Sequence, residues 1–463
     1  MHARKIIICI DGTGNQVGDN ESNILKLYKG LAQSDRQIVH YVPGVGTMDG
    51  PRLFESALTR KARALAGLAF GMGLEDDVLD AYRFLCHTYQ SASDKRRAHA
   101  ANRMALRETA RELGMKAPRK QTSAPRAEDD QIYIFGFSRG AYAARILAGF
   151  IHNFGLVDPA RLHMITKAFR AYRIVTEHDR DAPNAVVFKA LRQYESVLRP
   201  KGRVPIRCLG LFDTVASMVR LNRPFSSLFT YRSPMELSTH ANVETNSSVR
   251  IVLHAMAVDE RRSMFRPLRW KQSDYYGDRF RHARDKRTQF VHQRWFPGYH
   301  SDIGGTPREY FSGIGKITLL WMLDELRRME HLAWKEDTAL DPPKPGERRA
   351  RPVHGLEIKS RYRSGFLQGK DRKRRTPDGQ RFAQPDAMAP LHNSMSLAWA
   401  PLEIFPKTTL RRQWRNRPGW LWYLPLSEPR VIEADDSIDE SVHDRMRRWR
   451  FYRPVNLPDT SSE

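Results

Sequence analysis

A serine stands between two glycines at the end of an apolar run, in the stretch IYIFGFSRGAYAAR from Ile132 to Arg145. Gly136, Ser138 and Gly140 form a Gly-x-Ser-x-Gly pattern, which holds a nucleophilic serine on a sharp turn when a strand precedes it and a helix follows. The β-rich run before the pattern and the small residues after it predict that context. The glycines would let strand and helix approach closely while the serine takes a strained conformation. We therefore predict Ser138 as a nucleophile; the alternative is an ordinary serine in a tight loop.

A serine nucleophile needs a base, and the base needs an acid that orients it. In folds built around this turn, the three residues follow the chain order serine, acid, histidine. Asp213 follows an apolar segment in RCLGLFDTVAS, and His300 lies in the glycine-flanked segment RWFPGYHSDIGG. We predict Asp213 as the acid and His300 as the base. Asp213 could instead cap a helix, and Asp302 could orient the His300 loop or serve as an alternative acid.

Other histidines compete with His300 for the role of base: His254, His292 and His392. His254 and His292 lie within or at the ends of predicted strands, where a histidine is more often structural. We keep His254 as a supporting residue of the site.

The oxyanion of an acyl transfer needs backbone N–H donors. Arg139 begins the predicted helix, so its amide lies at the helix end that favours negative charge. A second donor is expected from a loop after an early strand. The segment IDGTGN offers the amide of Gly12 or Thr13, next to Asp11.

Short apolar runs alternate with helical patterns along the chain, which favours an α/β fold with a mainly parallel sheet. The predicted strands are Lys5–Ile10, Gln37–Val42, Gln131–Phe135, Pro205–Phe212, Val249–Ala255 and Gln289–Trp295. The predicted helices are Leu74–Tyr89, Gly140–Phe154 and Lys316–His331. In such sheets the reacting groups lie beyond the carboxyl ends of the strands. Polar residues closely follow the predicted strands there: Asp11, Ser138, Asp213, Asp259 and His300.

The composition predicts a folded protein with a strongly basic surface. The chain has 463 residues, of which 41% are hydrophobic, and its 77 Lys and Arg against 52 Asp and Glu give a net charge of +25. Such a surface attracts anionic partners. The three cysteines show neither metal-ligand spacing nor a disulfide framework, and two of them lie in apolar runs, which indicates buried thiols. The first apolar run is too short for a signal peptide, and no run reaches the length of a membrane span. Synthesis in the cytoplasm is therefore expected.

Composition also predicts how the chain is divided. Residues 1–335 are interpreted as the catalytic domain, with a basic insertion at 91–129 that carries ten basic and five acidic residues. Residues 336–390, rich in Pro, Gly, Lys and Arg, are interpreted as a linker or lid. Residues 391–463 regain aromatic and apolar residues and are expected to pack back on the core.

Several segments, in the same order along nearly the whole chain, resemble those of a known family. They are CIDGTGN (9–15), PGVGT (43–47), GLEDDVLDAYRFL (73–85), IYIFGFSRGAYAARILAGFI (132–151), GLFDTVAS (210–217), HAMAVDERRSMFRP (254–267), WFPGYHSDIGG (295–305) and YRPVNLP (452–458). The sequence resembles the bacterial and fungal α/β-hydrolase domain, formerly of unknown function, that includes the first class of type VI secretion lipase effectors, which are phospholipases.

The resemblance implies an α/β-hydrolase-like fold, with a mainly parallel central sheet flanked by helices and with insertions forming a cap or lid. It implies Ser138, Asp213 and His300 as nucleophile, acid and base. No cofactor and no metal are expected. The basic insertion at 91–129 and the residues Thr306 and Pro307, which interrupt a glycine-rich run, depart from the family pattern. Both segments are expected to border the carboxyl-end face and the substrate pocket.

The implied substrate is a glycerophospholipid or another ester. The segment Lys407 to Leu426 mixes cations with Trp414, Trp420, Trp422 and Tyr423. Such a mixture suits contact with an anionic membrane surface; the alternative is that these aromatic side chains form the core of the C-terminal part. An immunity protein or a secretion adaptor, and export by a type VI route, are the other implications. No specific nucleic acid is expected.

Two other classes of protein remain open. In a metal-dependent phosphohydrolase, Asp11 would be nucleophile or metal ligand with Asp302 or His300 nearby, but Thr13 stands where a second aspartate is usual. A catalytically inactive basic protein that binds nucleic acid would show a steep salt dependence of binding.

Overall fold

The structure is a computed structural model that describes residues 2–12, 21–44, 73–116, 127–178, 184–215, 218–221, 235–238, 243–342, 353–371, 373, 375–376, 379–395, 399–404, 407–408 and 422–458. The helices are α1 (Asn23–Gly30), α2 (Leu74–Thr88), α3 (Ala92–Glu112), α4 (Arg139–Phe154), α5 (Ile165–His178), α6 (Asn184–Leu198), α7 (His300–Ile303), α8 (Gly313–Leu340), α9 (Ala400–Ile404) and α10 (Glu440–Arg448). The strands are β1 (Lys5–Ile10), β2 (Gln37–Val42), β3 (Gln131–Phe137), β4 (Ile206–Phe212), β5 (Met218–Leu221), β6 (Met235–Ser238), β7 (Val249–Ala257), β8 (Asp274–Tyr275), β9 (Arg287–Thr288), β10 (Phe290–Phe296), β11 (Lys407–Thr408), β12 (Trp422–Tyr423) and β13 (Ser437–Ile438).

Seven strands form a central sheet in the order β13-β10-β7-β4-β3-β1-β2, and each neighbouring pair is parallel. The predicted α/β class with a mainly parallel sheet is confirmed. The direction in which successive strands are added to the sheet reverses at β1. β2 lies on one side of β1, and β3 and the later strands lie on the other. Crevices at such reversals, beyond the carboxyl ends of the strands, are the usual ligand sites of open α/β sheets.

Side chains of β1 alternate between two hydrophobic cores, one on each face of the sheet. Ile6, Ile8 and Ile10 belong to the first core, which α2, α4, α5 and α6 cover. Ile7 and Cys9 belong to the second, which α1 and α8 cover. A strand buried on both faces reads as a continuous apolar run, which is why KIIICI was recognisable as a strand.

The observed strand bounds follow the predicted ones closely. β1 and β2 match exactly, and β3 and β7 run two residues further than predicted. The largest difference is α8, which was predicted as Lys316–His331 but spans Gly313–Leu340. The helix begins at Gly313, and Gly315 has a packing reason: a Cβ there would lie 2.6 Å from the Cα of Gly305.

The described residues of the basic insertion, 91–116 and 127–129, do not border the carboxyl-end face, and that expectation was wrong for them. Among its described residues, α3 begins with a capping box at Ser91. Lys95 donates to the Asp130 carboxylate at 2.6 Å, and Asp130 directly precedes β3. The insertion connects the end of α2 to the start of β3. It is therefore attached at the amino ends of the strands, whereas Ser138 follows the carboxyl end of β3.

The predicted linker or lid and the segment that follows it contact different ends of the sheet. Leu31 and Ile358 form a β-bridge, and Lys5, at the amino end of β1, donates to the carbonyl of Val353 at 2.8 Å. Residues near 353–359 therefore pack away from the carboxyl ends of the strands, whereas His392, shortly after the predicted segment, contacts the loop of His300. The predicted boundary at 335 falls inside α8, and the division into three parts stays a prediction.

All three cysteines are buried and unpaired by disulfides. No helix among the described residues is both long enough and apolar enough to cross a membrane.

Candidate active site

Ser138 sits on a sharp turn between β3 and α4. Its φ of 57° and ψ of −122° are strained for a residue other than glycine. Its amide donates to the carbonyl of Phe212 at 3.0 Å, at the end of the neighbouring strand β4. Ser138 as a whole is 8% exposed. The turn therefore holds the hydroxyl beyond the sheet edge at the β1/β3 reversal.

The two glycines of the motif are required by close backbone contacts. A Cβ at Gly136 would lie 2.4 Å from the carbonyl oxygen of Gly140, and a Cβ at Gly140 would lie 2.3 Å from that of Ile10. No real side chain has room there, so α4 packs directly on the turn and on the end of β1.

Replacing Gly140 with alanine is expected to lower both thermal stability and activity, because the new methyl group must displace the end of β1. The expected loss is about 1–3 kcal/mol in the free energy of unfolding, measured by thermal or urea denaturation. Gly202→Ala is the matched control, since nothing lies within 4 Å of a Cβ at Gly202. Equal stability of the two variants would contradict the packing argument.

The side chains of Ser138, His300 and Asp213 form one hydrogen-bonded chain. His300 Nε2 lies 2.8 Å from Ser138 Oγ, and His300 Nδ1 lies 2.6 Å from Asp213 Oδ2. An ionised carboxylate only accepts hydrogen bonds, so Nδ1 must carry the proton. In the neutral imidazole, Nε2 is then the acceptor for the serine hydroxyl. This arrangement can transfer the hydroxyl proton to His300.

Two aromatic rings surround the imidazole of His300. Phe137 stacks on it with ring centroids 4.8 Å apart, and Phe265 contacts it edge-on at 4.9 Å. Burial lowers the pKa of His300 below its ordinary value, although Asp213 acts in the opposite direction. The imidazole is therefore held neutral, the form that accepts a proton.

Asp213 is fully buried and strongly held as an anion. Its φ is 41°, and its Oδ1 accepts from the amide of Ala257 at 3.0 Å. Arg430 contacts both carboxylate oxygens, at 2.6 and 2.9 Å. Burial opposes ionisation, yet Arg430 and His300 hold the pKa of Asp213 well below its usual value. Residues 214–215 and 218–221 contain no helix, so Asp213 does not cap one there.

Asp302 orients the loop of His300 and does not contact the imidazole in any described hydrogen bond. Its Oδ2 accepts from the amide of Tyr299 at 2.9 Å, and its Oδ1 lies 2.7 Å from His392 Nδ1. Of the two roles left open by the sequence, the geometry favours loop orientation.

His254 lies behind the acid. Its Nε2 accepts from the amide of Thr214 at 3.0 Å, and burial lowers its pKa well below the ordinary value. His254 is neutral and binds the backbone directly after Asp213. It therefore supports the turn that carries the acid.

The predicted oxyanion donors are only partly described. Arg139 is the first residue of α4, and a helix begins with amides that have no acceptor in the helix. The amide of Gly12 donates to the Asp11 carboxylate at 2.6 Å, and Thr13 lies outside the described residues. The second donor stays a prediction.

Asp11 is buried and serves as an acceptor for its neighbours. Ser22 Oγ lies 2.5 Å from Asp11 Oδ2, and the hydroxyl of Tyr41 donates to the same oxygen at 2.8 Å. Within the described part of the chain, no group of three or more His, Cys, Asp or Glu residues is placed to hold a metal ion.

Sequence reasoning missed the residues that support the triad from other segments. Glu260 accepts from the backbone amide of His300 at 3.2 Å and is paired with Arg262. Arg430 binds Asp213 from 217 positions later in the chain. Glu260 and Arg262 lie inside the segment HAMAVDERRSMFRP, which was a usable signal, whereas nothing local to Arg430 indicated its role.

Comparison with known proteins adds family and structural relatives. Residues 4–325 match the family model described as T6SS, phospholipase effector Tle1-like, catalytic domain. The chain is 27% identical over 277 residues to the uncharacterized protein YEL023C of Saccharomyces cerevisiae, covering 57% of the chain and 32% of that protein.

Two solved structures show weak structural similarity. An uncharacterized protein from Pseudomonas aeruginosa is 21% identical, with a TM-score of 0.32 over 70% of this chain and 45% of that one. The Tle1 effector bound to the VgrG spike from the type 6 secretion system is 19% identical, with a TM-score of 0.27 over 66% and 52%. The chain thus covers between about a third and a half of the length of these relatives.

Proposed function

Since the chain belongs to the family of Tle1-like catalytic domains of type VI secretion phospholipase effectors, we propose that it is a serine hydrolase that cleaves carboxylic esters of glycerophospholipids. The observation that carries the proposal is the continuous chain of hydrogen bonds from Ser138 Oγ through His300 to Asp213. A serine hydroxyl bonded to a buried neutral imidazole, itself bonded to a carboxylate, is the arrangement that activates serine for acyl transfer.

In the proposed reaction, His300 Nε2 takes the hydroxyl proton while Ser138 Oγ forms a bond to the ester carbonyl carbon. The negative charge on the carbonyl oxygen is stabilised by the amide of Arg139 and by a loop amide after β1. The intermediate collapses, the ester C–O bond breaks, and His300 gives its proton to the departing alcohol. Water then attacks the acyl carbon as His300 takes its proton, the bond between Ser138 Oγ and that carbon breaks to release the fatty acid, and His300 returns the proton to the serine. Asp213 stabilises the imidazolium throughout.

A fluorophosphonate probe tests this assignment directly. We expect the probe to label the protein at Ser138, located by mass spectrometry of the labelled peptide, and glycerophospholipid vesicles to release fatty acid. Both results should persist in the presence of a metal chelator. Loss of hydrolysis on chelation, without labelling of Ser138, would instead support a metal-dependent phosphohydrolase.

The pH profile of the activity follows from the state of His300. Only the neutral imidazole accepts the serine proton, so kcat/KM must fall when the pH drops through its pKa. Burial lowers that pKa from the ordinary value of about 6.5. We therefore expect kcat/KM for a non-ionising p-nitrophenyl ester to reach half of its maximum below pH 6.5. A half-maximal point above pH 6.5 would contradict this description of the site.

Partners and location are proposed from the family and from the sequence. We propose an anionic membrane surface as the site of action, an immunity protein or secretion adaptor as partner, synthesis in the cytoplasm and export by a type VI route. The aromatic and basic segment 407–426 proposed for lipid contact lies largely outside the described residues, including Trp414 and Trp420.

A further inference from the structure

A buried arginine from the C-terminal part of the chain holds the Asp213 carboxylate. Arg430 Nη1 donates to Asp213 Oδ1 at 2.6 Å, and Nη2 donates to Oδ2 at 2.9 Å. The same Oδ2 is 2.6 Å from His300 Nδ1. Arg430 is 3% exposed. A two-point contact between a planar guanidinium and a carboxylate fixes the carboxylate plane as well as its position.

Arg430 is itself held in place. Its Nη1 also donates to the carbonyl of Ala257 at 3.0 Å, and its Nη2 to that of Phe265 at 2.5 Å. The amide group of Asn456 donates to the carbonyl oxygens of Arg430 and Val258, at 3.0 and 3.1 Å. Since Phe265 contacts His300, the guanidinium connects the acid with the wall of the imidazole pocket.

Two further contacts anchor the same segment beside the site. The Tyr452 hydroxyl donates to Asp259 Oδ2 at 2.7 Å, and the same oxygen accepts from the amide of Gly298 at 2.6 Å, two residues before His300. Arg266 pairs with Glu428 at 3.0 Å. The segment 428–458 thus contacts the acid directly through Arg430 and the loop of the base indirectly through Asp259.

We propose that Arg430 is a positioning residue of the active site, and that the segment 428–458 completes that site by holding Asp213 in the orientation in which it binds His300. This inference rests on the proposed function. Arg430 lies beyond residue 325, where the family match ends, so the site draws on a part of the chain outside the matched region.

The charge of Arg430 has a second, measurable consequence. A cation beside Asp213 offsets part of the negative charge that would stabilise the His300 imidazolium. The other charged groups facing His300 are Asp213, Glu260 and Arg262. Because these remain when Arg430 is removed, the acid limb of the pH profile should move to higher pH. A purely structural loss would lower the rate without moving that limb.

The test compares Arg430→Ala and Arg430→Lys with wild type and with the control Arg445→Gln. Arg445 is also a buried arginine of this segment, and it donates to the carbonyls of Ala387 and Ala389 without touching Asp213. We expect Arg430→Ala to lower kcat about 100-fold, the scale of a small misplacement in an active site, with KM little changed. Arg430→Lys should restore part of the rate, as should added guanidinium ion at millimolar concentration. The acid limb should move upward in Arg430→Ala and stay in place in Arg445→Gln.

A readout independent of catalysis separates this inference from the proposed function. The proton between His300 Nδ1 and Asp213 should give a strongly deshielded NMR resonance in wild type and in Arg445→Gln, and it should move to a less deshielded position in Arg430→Ala, where the bond persists in a distorted geometry. If wild type shows labelling of Ser138 and Arg430→Ala retains the rate, the acid limb and this resonance, the inference is overturned while the function stands. If wild type shows neither labelling nor hydrolysis, both are overturned. Circular dichroism checks that each variant is folded. If Arg430→Ala is unfolded, the rate, the acid limb and the resonance of Arg430→Lys decide instead.

Discussion

Ser138→Ala is expected to reduce kcat for ester hydrolysis about 10⁶-fold, the loss found when the nucleophile of a comparable triad is removed. The alanine has no hydroxyl to form the acyl-enzyme, so neither a p-nitrophenyl ester nor a phospholipid vesicle should be hydrolysed above the residual rate. The turn itself should persist, since the backbone hydrogen bond from residue 138 to the carbonyl of Phe212 does not involve the side chain. The measurement is ester release together with thermal stability.

The chain offers a matched control for this variant. Ser248 Oγ lies 2.7 Å from His152 Nδ1, and both residues are buried. Ser248 directly precedes β7, whereas Ser138 follows the carboxyl end of β3. Burial, together with nearby arginines, lowers the pKa of His152 to about 4. Ser248→Ala should therefore leave ester hydrolysis near the wild-type rate. Undiminished ester release by Ser138→Ala would end the proposal of a serine hydrolase.

Asp213→Asn is expected to lower kcat about 10⁴-fold, because the amide no longer fixes the imidazole tautomer or stabilises the imidazolium. It should also destabilise the fold, since it leaves the buried Arg430 guanidinium without its counter-charge. Breaking a buried ion pair in this way costs about 3–5 kcal/mol. The measurements are kcat below the unfolding temperature of the variant and the free energy of unfolding in urea.

Two comparisons sharpen the result for Asp213. The double variant Asp213→Asn with Arg430→Gln should recover part of the lost stability, because no unpaired charge remains buried, but none of the lost activity. Asp302→Asn should cost far less activity, because Asp302 binds the amide of Tyr299 and the ring of His392 rather than His300. If Asp302→Asn were as damaging to kcat as Asp213→Asn, the acid would be wrongly assigned.

The central strands and the serine turn could be read from the sequence because their signals are local. KIIICI and QIVHYV are apolar runs whose strand bounds match exactly, since strands buried on both faces must be apolar throughout. The Gly-x-Ser-x-Gly spacing likewise reflects a steric demand within a few residues, seen in the 2.4 Å from a Cβ at Gly136 to the carbonyl of Gly140.

Other features depended on where distant segments meet. The sequence indicates that the basic insertion is a surface segment, yet only its attachment before β3 shows that its described residues lie away from the serine. Chain order suggested Asp213 and His300 as partners, but the choice between Asp213 and Asp302 required the distances around the imidazole.

The sequence by itself determined which residue types could react, the α/β class and the strands that carry them, because apolar periodicity and glycine spacing act over short stretches of chain. The tertiary structure alone decided which carboxylate meets His300, and that Arg430, 217 positions after Asp213, holds that carboxylate. An ion pair between buried side chains produces no recognisable pattern in the sequence of either segment. Its energy depends on the burial of the two groups and on the distance between them, and both are set only when the chain folds.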